Sequence, residues 1–503
     1  MNTYHPLSPL GTRLRPILIF LTIILGLSPV SAKIWMPAIF DSGMVLQRET
    51  TVKFWGTASA GKTVRLTTSW NNKTYLSKAD KQGRWSISAT TPEAGGPYIV
   101  TVTDGEELQF DDVLIGEVWL CAGQSNMEMP MKGFPSQPIE NGNMDILHSS
   151  DPLLHLYQAK RTSRVEPIDT TTGKWQRAEP QAVREFSATA YYFGRELRRV
   201  LGVPVGLIVT AWGGSSCEAW MNREHVKQFV TDKSPYQIPY KPADIKSPNR
   251  QPTVLYNGML HPVIGYGIRG AIWYQGEDNV PRYGDYAQQM KTMVTEWREE
   301  WGIGDFPFYY CQIAPYDYSL INWTHNSALL REQQMIAEKE IPNAGMAVLM
   351  DAGIEKGIHP PKKNIAGERL SLLALVNTYG IKGVTAQSAR YKSMTVEDGA
   401  AILSFENDKM NLYGKNSSFT SHLFEIAGPD RVFYPAKVEI YKRKYLKVSA
   451  PEVTSPAAVR YAFHNWADGD LFCDGLPLSS FRTDDWPVLN DDNGKKKIEY
   501  DNN

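Results

Sequence analysis

Four short segments carry the residue types that could do chemistry. Gly123-Gln124-Ser125-Asn126-Met127 offers a serine, and Gly213-Gly214-Ser215-Ser216 a pair of glycines. Gln275-Gly276-Glu277-Asp278 sets an amide beside two acids, and Gly357-Ile358-His359-Pro360 holds a histidine. A serine hydroxyl is hardly ionised at neutral pH, so Ser125 needs a base to become a nucleophile. His359 suits that role because an unperturbed imidazole titrates near pH 6.5. The bare backbone at Gly213-Gly214 lets a substrate oxygen approach main-chain N–H groups, and Gln275 could add a side-chain donor. Taken singly, each segment has a plainer reading: a turn or helix cap at Ser125, a tight connection at the glycines, a structural ion pair at Glu277, a surface histidine at His359. Their placement in the chain favours a shared site.

Each segment follows an apolar run of strand length. The runs are Val113–Ala122, Val205–Trp212, Gly270–Tyr274 and Met346–Met350, with a further one at Phe306–Ile313. Helical patterns at Ala188–Val200, Tyr283–Trp301, Ala328–Lys339 and Lys362–Tyr379 alternate with them. Strands alternating with helices predict an α/β fold with a parallel sheet covered on both faces. Ligands of such sheets bind beyond the carboxyl ends of the strands, where these four segments lie. The absence of Gly-x-Ser-x-Gly excludes the α/β-hydrolase nucleophile elbow.

The flanks differ in texture. Residues 33–112 and 380–503 show short β-branched and aromatic runs broken by Gly, Pro and Asn, which predicts antiparallel accessory β-sandwich material around a catalytic region at 113–379. The two flanks are expected to complete one discontinuous sandwich. Gln228–Pro252 is polar and Pro-rich and reads as an excursion loop. Met1–Ala32 has Arg13 and Arg15 before an apolar stretch and Val30-Ser31-Ala32 after it, the pattern of a cleaved secretory signal, so a secreted or periplasmic location is expected, with no membrane attachment after cleavage.

The chain has 503 residues, roughly three domains at about 150 each. Its 53 Lys and Arg against 54 Asp and Glu leave no basic excess for nucleic acid. Cys121, Cys217, Cys311 and Cys473 have no metal-ligand spacing and read as buried free thiols; no metal or organic cofactor is expected. Aromatic residues are 11% of the chain, and Trp212, Trp220, Trp273 and Tyr274 flank the site segments. They read as sugar platforms or as core.

GEVWLCAGQSNMEMPM resembles the first block of the SGNH (GDSL-like) hydrolases in the form found in the sialate O-acetylesterase family. MVLQR, FSATAYYFGRELRR, VPVGLIVTAWGGSSCEAWM, NGMLHPVIGYGIRGAIWYQGEDN, GIHPPKKNIAGERL, VRYAFHNW and GLPLSSFRTDDWP are also similar to it, from Ile34 to Trp486. The resemblance implies an SGNH-type parallel sheet flanked by helices and hydrolysis of O-acetyl esters on carbohydrates. It also implies Ser125 as nucleophile and His359 as base. The implied oxyanion donors are the N–H groups of Ser125 and Gly214 and the side chain of Gln275, which stands where simpler relatives have Asn. The superfamily usually carries an Asp shortly before the histidine, whereas this chain has Lys356-Gly357-Ile358-His359. The candidates for the orienting acid are Glu355, Asp351 and Glu277, with a backbone carbonyl as the alternative.

Three rival readings stand beside this one. The first is an esterase acting on acetylxylan or another plant polysaccharide. The second is a carbohydrate-binding protein without activity. The third is a glycosidase, which Glu277-Asp278 serves poorly because sequence neighbours cannot flank a bond from opposite sides.

Overall fold

A computed structural model of the chain describes residues 33–318, 327–406, 411–415, 421–442, 444–489 and 499–500. The expected leader, Met1–Ala32, and most of the charged tail lie outside these residues. At the centre is a sheet of seven strands: β1 (Glu107–Gly123), β2 (Asp151–Gln158), β3 (Trp175–Ala178), β4 (Val205–Ala211), β5 (Gly270–Tyr274), β6 (Phe308–Cys311) and β7 (Ala344–Ala347). Their order is β7-β6-β5-β1-β4-β2-β3, and all neighbours run parallel except the antiparallel edge strand β3. A parallel sheet is buried on both faces. Accordingly β4 and β5 are buried along their whole length. Along β1, Val118, Leu120 and Ala122 join one core, while Trp119 and Cys121 join the other.

Three helices matter for the site. α1 (Ser125–Glu128) follows β1 directly, α2 (Ala188–Leu201) lies on one face, and α5 (Lys363–Leu373) follows β7 and packs on α2. Between α2 and α5 in the chain come α3 (Tyr286–Trp301) and α4 (Ser327–Glu340). The helix expected from Tyr283 begins at Tyr286, because Glu277–Asp285, with Pro281 inside it, forms a 3₁₀ segment instead. The pattern expected to run to Tyr379 ends as an α-helix at Leu373 and continues as a π-helical turn, Ala374–Thr378.

β1 has 17 residues and serves two regions. Its first half pairs antiparallel with the accessory strand Gly95–Thr103, and its second half pairs with β4 and β5. The burial pattern changes along it from alternating to continuous. The C-terminal region forms separate antiparallel sheets, one with strand Ala400–Phe405 between Tyr391–Glu397 and Tyr445–Ser449, another built on Phe424–Ala427 and Ala458–Tyr461. Among the described residues no ladder joins 33–112 to 380–503. Four N-terminal strands, Val45–Gln47, Thr63–Thr68, Lys73–Lys78 and Gly95–Thr103, continue the central sheet through β1, while Thr51–Thr57 and Arg84–Thr90 pair as a separate ribbon. The C-terminal sheets instead dock on α4, through Arg482 to Glu332, Arg390 to Glu338, and Arg331 to Ser480 and the His464 carbonyl.

Candidate active site

The sheet register brings three of the four segments to one level. Gly123, the last residue of β1, pairs with Ala211 of β4 on one side and Tyr274 of β5 on the other. The loops that carry Ser125, Gly213-Gly214 and Gln275–Asp278 therefore leave the sheet side by side. Gly123 has φ +144°, and a Cβ there would lie 2.2 Å from the Tyr274 carbonyl oxygen, so the turn into α1 requires glycine. Ser125 opens α1, where its own N–H has no intrahelical acceptor.

His359 reaches Ser125 from the loop between β7 and α5. Its Nε2 lies 2.8 Å from Ser125 Oγ. Its Nδ1 lies 2.6 Å from Gln137 Oε1. An amide oxygen can only accept, so Nδ1 carries the proton and Nε2 offers its lone pair to the serine hydroxyl. Burial, reinforced by the nearby Lys363 charge, pulls the imidazole down to about 4. It is therefore neutral, and basic at Nε2, at neutral pH. The Phe134 ring stands edge-on to it at 5.3 Å.

The three candidate orienting acids lie elsewhere. Asp351 makes a paired bond to Arg369 at 2.6 and 2.7 Å, bracing the loop from beneath. Glu355 is exposed, and its carbonyl accepts from the Asp317 N–H. Glu277 is fully buried and accepts from Asn126 Nδ2 at 2.5 Å. Burial raises Glu277 to about 7. Gln137 holds the position these acids were expected to fill. It sits in the turn Phe134–Gln137, closed by mutual backbone hydrogen bonds. Nothing in the sequence marked it, because a polar loop residue acquires this position only through the path of its loop.

The oxyanion donors divide. A Cβ at Gly213 would lie 3.3 Å from Ser125 Cβ, so this loop lies hard against the serine. The Gly213 N–H is already taken by Glu128 Oε2 at 2.7 Å. The Gly214 N–H has no partner among the described residues and follows directly on the glycine that packs against the serine. Gln275, expected as a donor, is not available. Its Nε2 donates to the Ser215 carbonyl at 3.0 Å and to Asn279 Oδ1 at 2.7 Å, and its Oε1 accepts from Tyr286. Both amide hydrogens are thus spent beneath the glycine loop, which Gln275 props from the core side.

Other residues tie the site loops together. Glu128 takes a two-point bond from Arg161 at 2.5 and 2.7 Å in addition to the Gly213 N–H. Asn249, at the end of the excursion loop, donates to the Gly213 carbonyl at 2.8 Å. Neither contact was legible in the sequence. Trp220, Trp273 and Tyr274 are buried in the core, while Trp212 is half-buried and faces Arg161. The four cysteines are buried and unbridged. Among the described residues no group of three or more His, Cys, Asp or Glu side chains is arranged to hold a metal ion. No helix there is long and apolar enough to cross a membrane.

Residues 115–357 match the family model described as carbohydrate esterase, sialic acid-specific acetylesterase. The human sialate O-acetylesterase is 29% identical over 377 residues, covering 69% of this chain and 71% of its own. The Rattus norvegicus sialate O-acetylesterase is 26% identical over 488 residues, covering 85% and 89%. The crystal structure of a carbohydrate acetylesterase from Xanthomonas citri superposes with a TM-score of 0.81 at 34% identity, over 90% of this chain and all of that one. On these likenesses, with an SGNH-like sheet beneath the paired serine and histidine, the chain belongs to the sialate O-acetylesterase family of carbohydrate esterases.

Proposed function

We propose that this carbohydrate O-acetylesterase works by acyl transfer through Ser125 and His359. The observation that carries the reading is the 2.8 Å contact between His359 Nε2 and Ser125 Oγ at the carboxyl edge of the sheet. His359 takes the serine proton as Oγ attacks the acetyl carbonyl. The N–H groups of Ser125 and Gly214 face the oxygen that becomes negative. The imidazolium then protonates the departing sugar oxygen, which leaves as the free hydroxyl, and water repeats the sequence to release acetate. The Gln137 amide oxygen holds the imidazole in the reacting tautomer and accepts from the imidazolium without adding a negative charge. Ser125→Ala is expected to cut acetate release at least about 10³-fold. Retained turnover in that variant would overturn Ser125 as the nucleophile, and failure of an organophosphate to label Ser125 would favour the non-catalytic or the glycosidase reading.

The leaving sugar has a place to lie. A pocket of about 550 Å³ is lined by Phe229, Tyr236, Arg250 and Arg282 among others, between the excursion loop and the Glu277–Asp285 segment. Arg250 joins it to the site, since its guanidinium lies 3.4 Å from where a Gly214 Cβ would be. The relatives' names point to O-acetylated sialic acid as the substrate. An acetylated plant sugar is the second reading. Arg161, Arg250 and Arg282 are each bonded to carboxylates, namely Glu128, Asp278, and Asp278 with Glu218. Lys233, exposed in the pocket lining, is the cation that a sugar acid would meet there. Acetate release from O-acetylated sialic acid against acetylated xylo-oligosaccharides separates the two. Export after cleavage at Ala32 belongs to the same reading, and N-terminal sequencing of the mature protein should then begin at Lys33.

A further inference from the structure

The two carbonyls that flank the base in the chain, those of Ile358 and Pro360, are both held by side chains from outside their loop. Asn126, next to the nucleophile, donates to the Ile358 carbonyl at 3.1 Å. Lys363, the first residue of α5, donates to the Pro360 carbonyl at 2.7 Å. The same two side chains are joined, with Lys363 Nζ donating to Asn126 Oδ1 at 2.7 Å. Asn126 spends its remaining donor on Glu277. All three side chains are buried, and the Asn126 backbone is itself pinned by Thr189 of α2. A buried ammonium and a buried carboxylate, bridged by one amide, thus connect the segment carrying Ser125, the loop after β5 and the segment carrying His359.

We propose that Asn126, Lys363 and Glu277 are positioning residues that set the distance between His359 and Ser125. Charged groups taken out of water are a weak source of stability, whereas a buried network that fixes geometry has a use. Here both donors end on the peptide groups of the base. A shift of about 1 Å between reacting groups can cost about 10²-fold in rate. The inference rests on His359 being the base. It also accounts for an acid beside the Ser–His pair that does not touch the imidazole: Glu277 acts at one remove, through Asn126.

The charges facing these groups support the same view. His359 meets Ser125, Gln137 and the Phe134 ring, with Lys363 the charged group behind it. Lys363 faces Glu277 and the Cys311 thiol. Burial lowers Lys363 and raises Glu277, and the opposite charge of each resists the change. The Lys363 charge opposes protonation of His359, so its loss should raise the pH at which the base titrates.

The test uses the full chain with 4-nitrophenyl acetate, whose leaving group needs no sugar pocket. Lys363→Met with Glu277→Gln removes both buried charges together, so neither is left alone. The expected result is a folded protein by circular dichroism, with kcat down about 10²-fold, KM within about twofold and the acid limb of kcat/KM moved to higher pH. The isosteric Asn126→Asp removes the donors to Ile358 and Glu277 and serves if the double variant does not fold; the same fall in kcat and the same direction of the acid limb are expected. Unaltered kcat and acid limb in a folded variant would overturn the proposal. Ser125→Ala and His359→Ala test the pair itself, so a failure of that reading would be seen separately.

Discussion

At the scale of single residues, the proposed Ser125–His359 pair departs from a carboxylate triad at one position. A neutral amide, Gln137, faces Nδ1 of the base, and burial with the Lys363 charge depresses the imidazole to about 4. The acid limb of kcat/KM should therefore lie near pH 4, with activity level from about pH 5 to 8; a limb near 6.5 would contradict the half-buried, neutral histidine. The stability consequence has a definite sign. Between pH 4 and 6.5 the unfolded chain binds a proton at this position that the folded chain does not. Unfolding free energy should therefore fall as pH drops through that window, and His359→Gln should flatten this part of the profile. Gln137→Ala should lower kcat by about 10²-fold, because the tautomer is no longer held. Gln137→Glu should move the acid limb upward, since a carboxylate beside Nδ1 favours the imidazolium. An unmoved limb in Gln137→Glu would show that this side chain does not face the ring in solution.

At the scale of elements, the strands were legible and the directions of side chains were not. Apolar runs at Val205–Trp212 and Gly270–Tyr274 mark buried parallel strands, and the residues that follow such strands are at the ligand edge by topology alone. Ser125, Gly214 and His359 could be located for that reason. Gln275 also follows its strand, yet its amide turns inward to Ser215 and Asn279. Glu277 follows by two residues and turns to Asn126. Period and spacing place a backbone, while the rotamer is settled by partners far away in sequence. The excursion loop carries the prediction at this scale. Phe229→Ala and Tyr236→Ala should raise KM for an acetylated saccharide about tenfold, a loss of about 1.4 kcal/mol of binding. The same variants should leave 4-nitrophenyl acetate hydrolysis unaltered. An equal effect on both substrates would mean that the loop supports the site and does not bind sugar.

At the scale of the whole molecule, the composition pointed to roughly three units, and strand pairing shows how they are joined. The N-terminal strands share β1 with the catalytic sheet, a continuity hidden by the change of texture near residue 112. The C-terminal sheets are held to α4 by side chains. The most buried of these is Arg331, which donates to Ser480, Ser327 and the carbonyls of Ala462 and His464. Arg331→Met should leave those carbonyls unsatisfied and lower unfolding free energy by about 3 kcal/mol in urea, with kcat unchanged; a loss of activity without loss of stability would tie this region to the site instead. The catalytic expectations rest on Ser125 carrying the acetyl group, and trapping that intermediate is their most direct measurement. Wild-type enzyme is mixed with an acetylated sugar, quenched in acid before deacylation and analysed by peptide mass. The expected result is one acetyl group on the peptide containing Ser125, absent in Ser125→Ala. Acetate released at the wild-type rate by Ser125→Ala, with no acetylated peptide in either protein, would contradict the account.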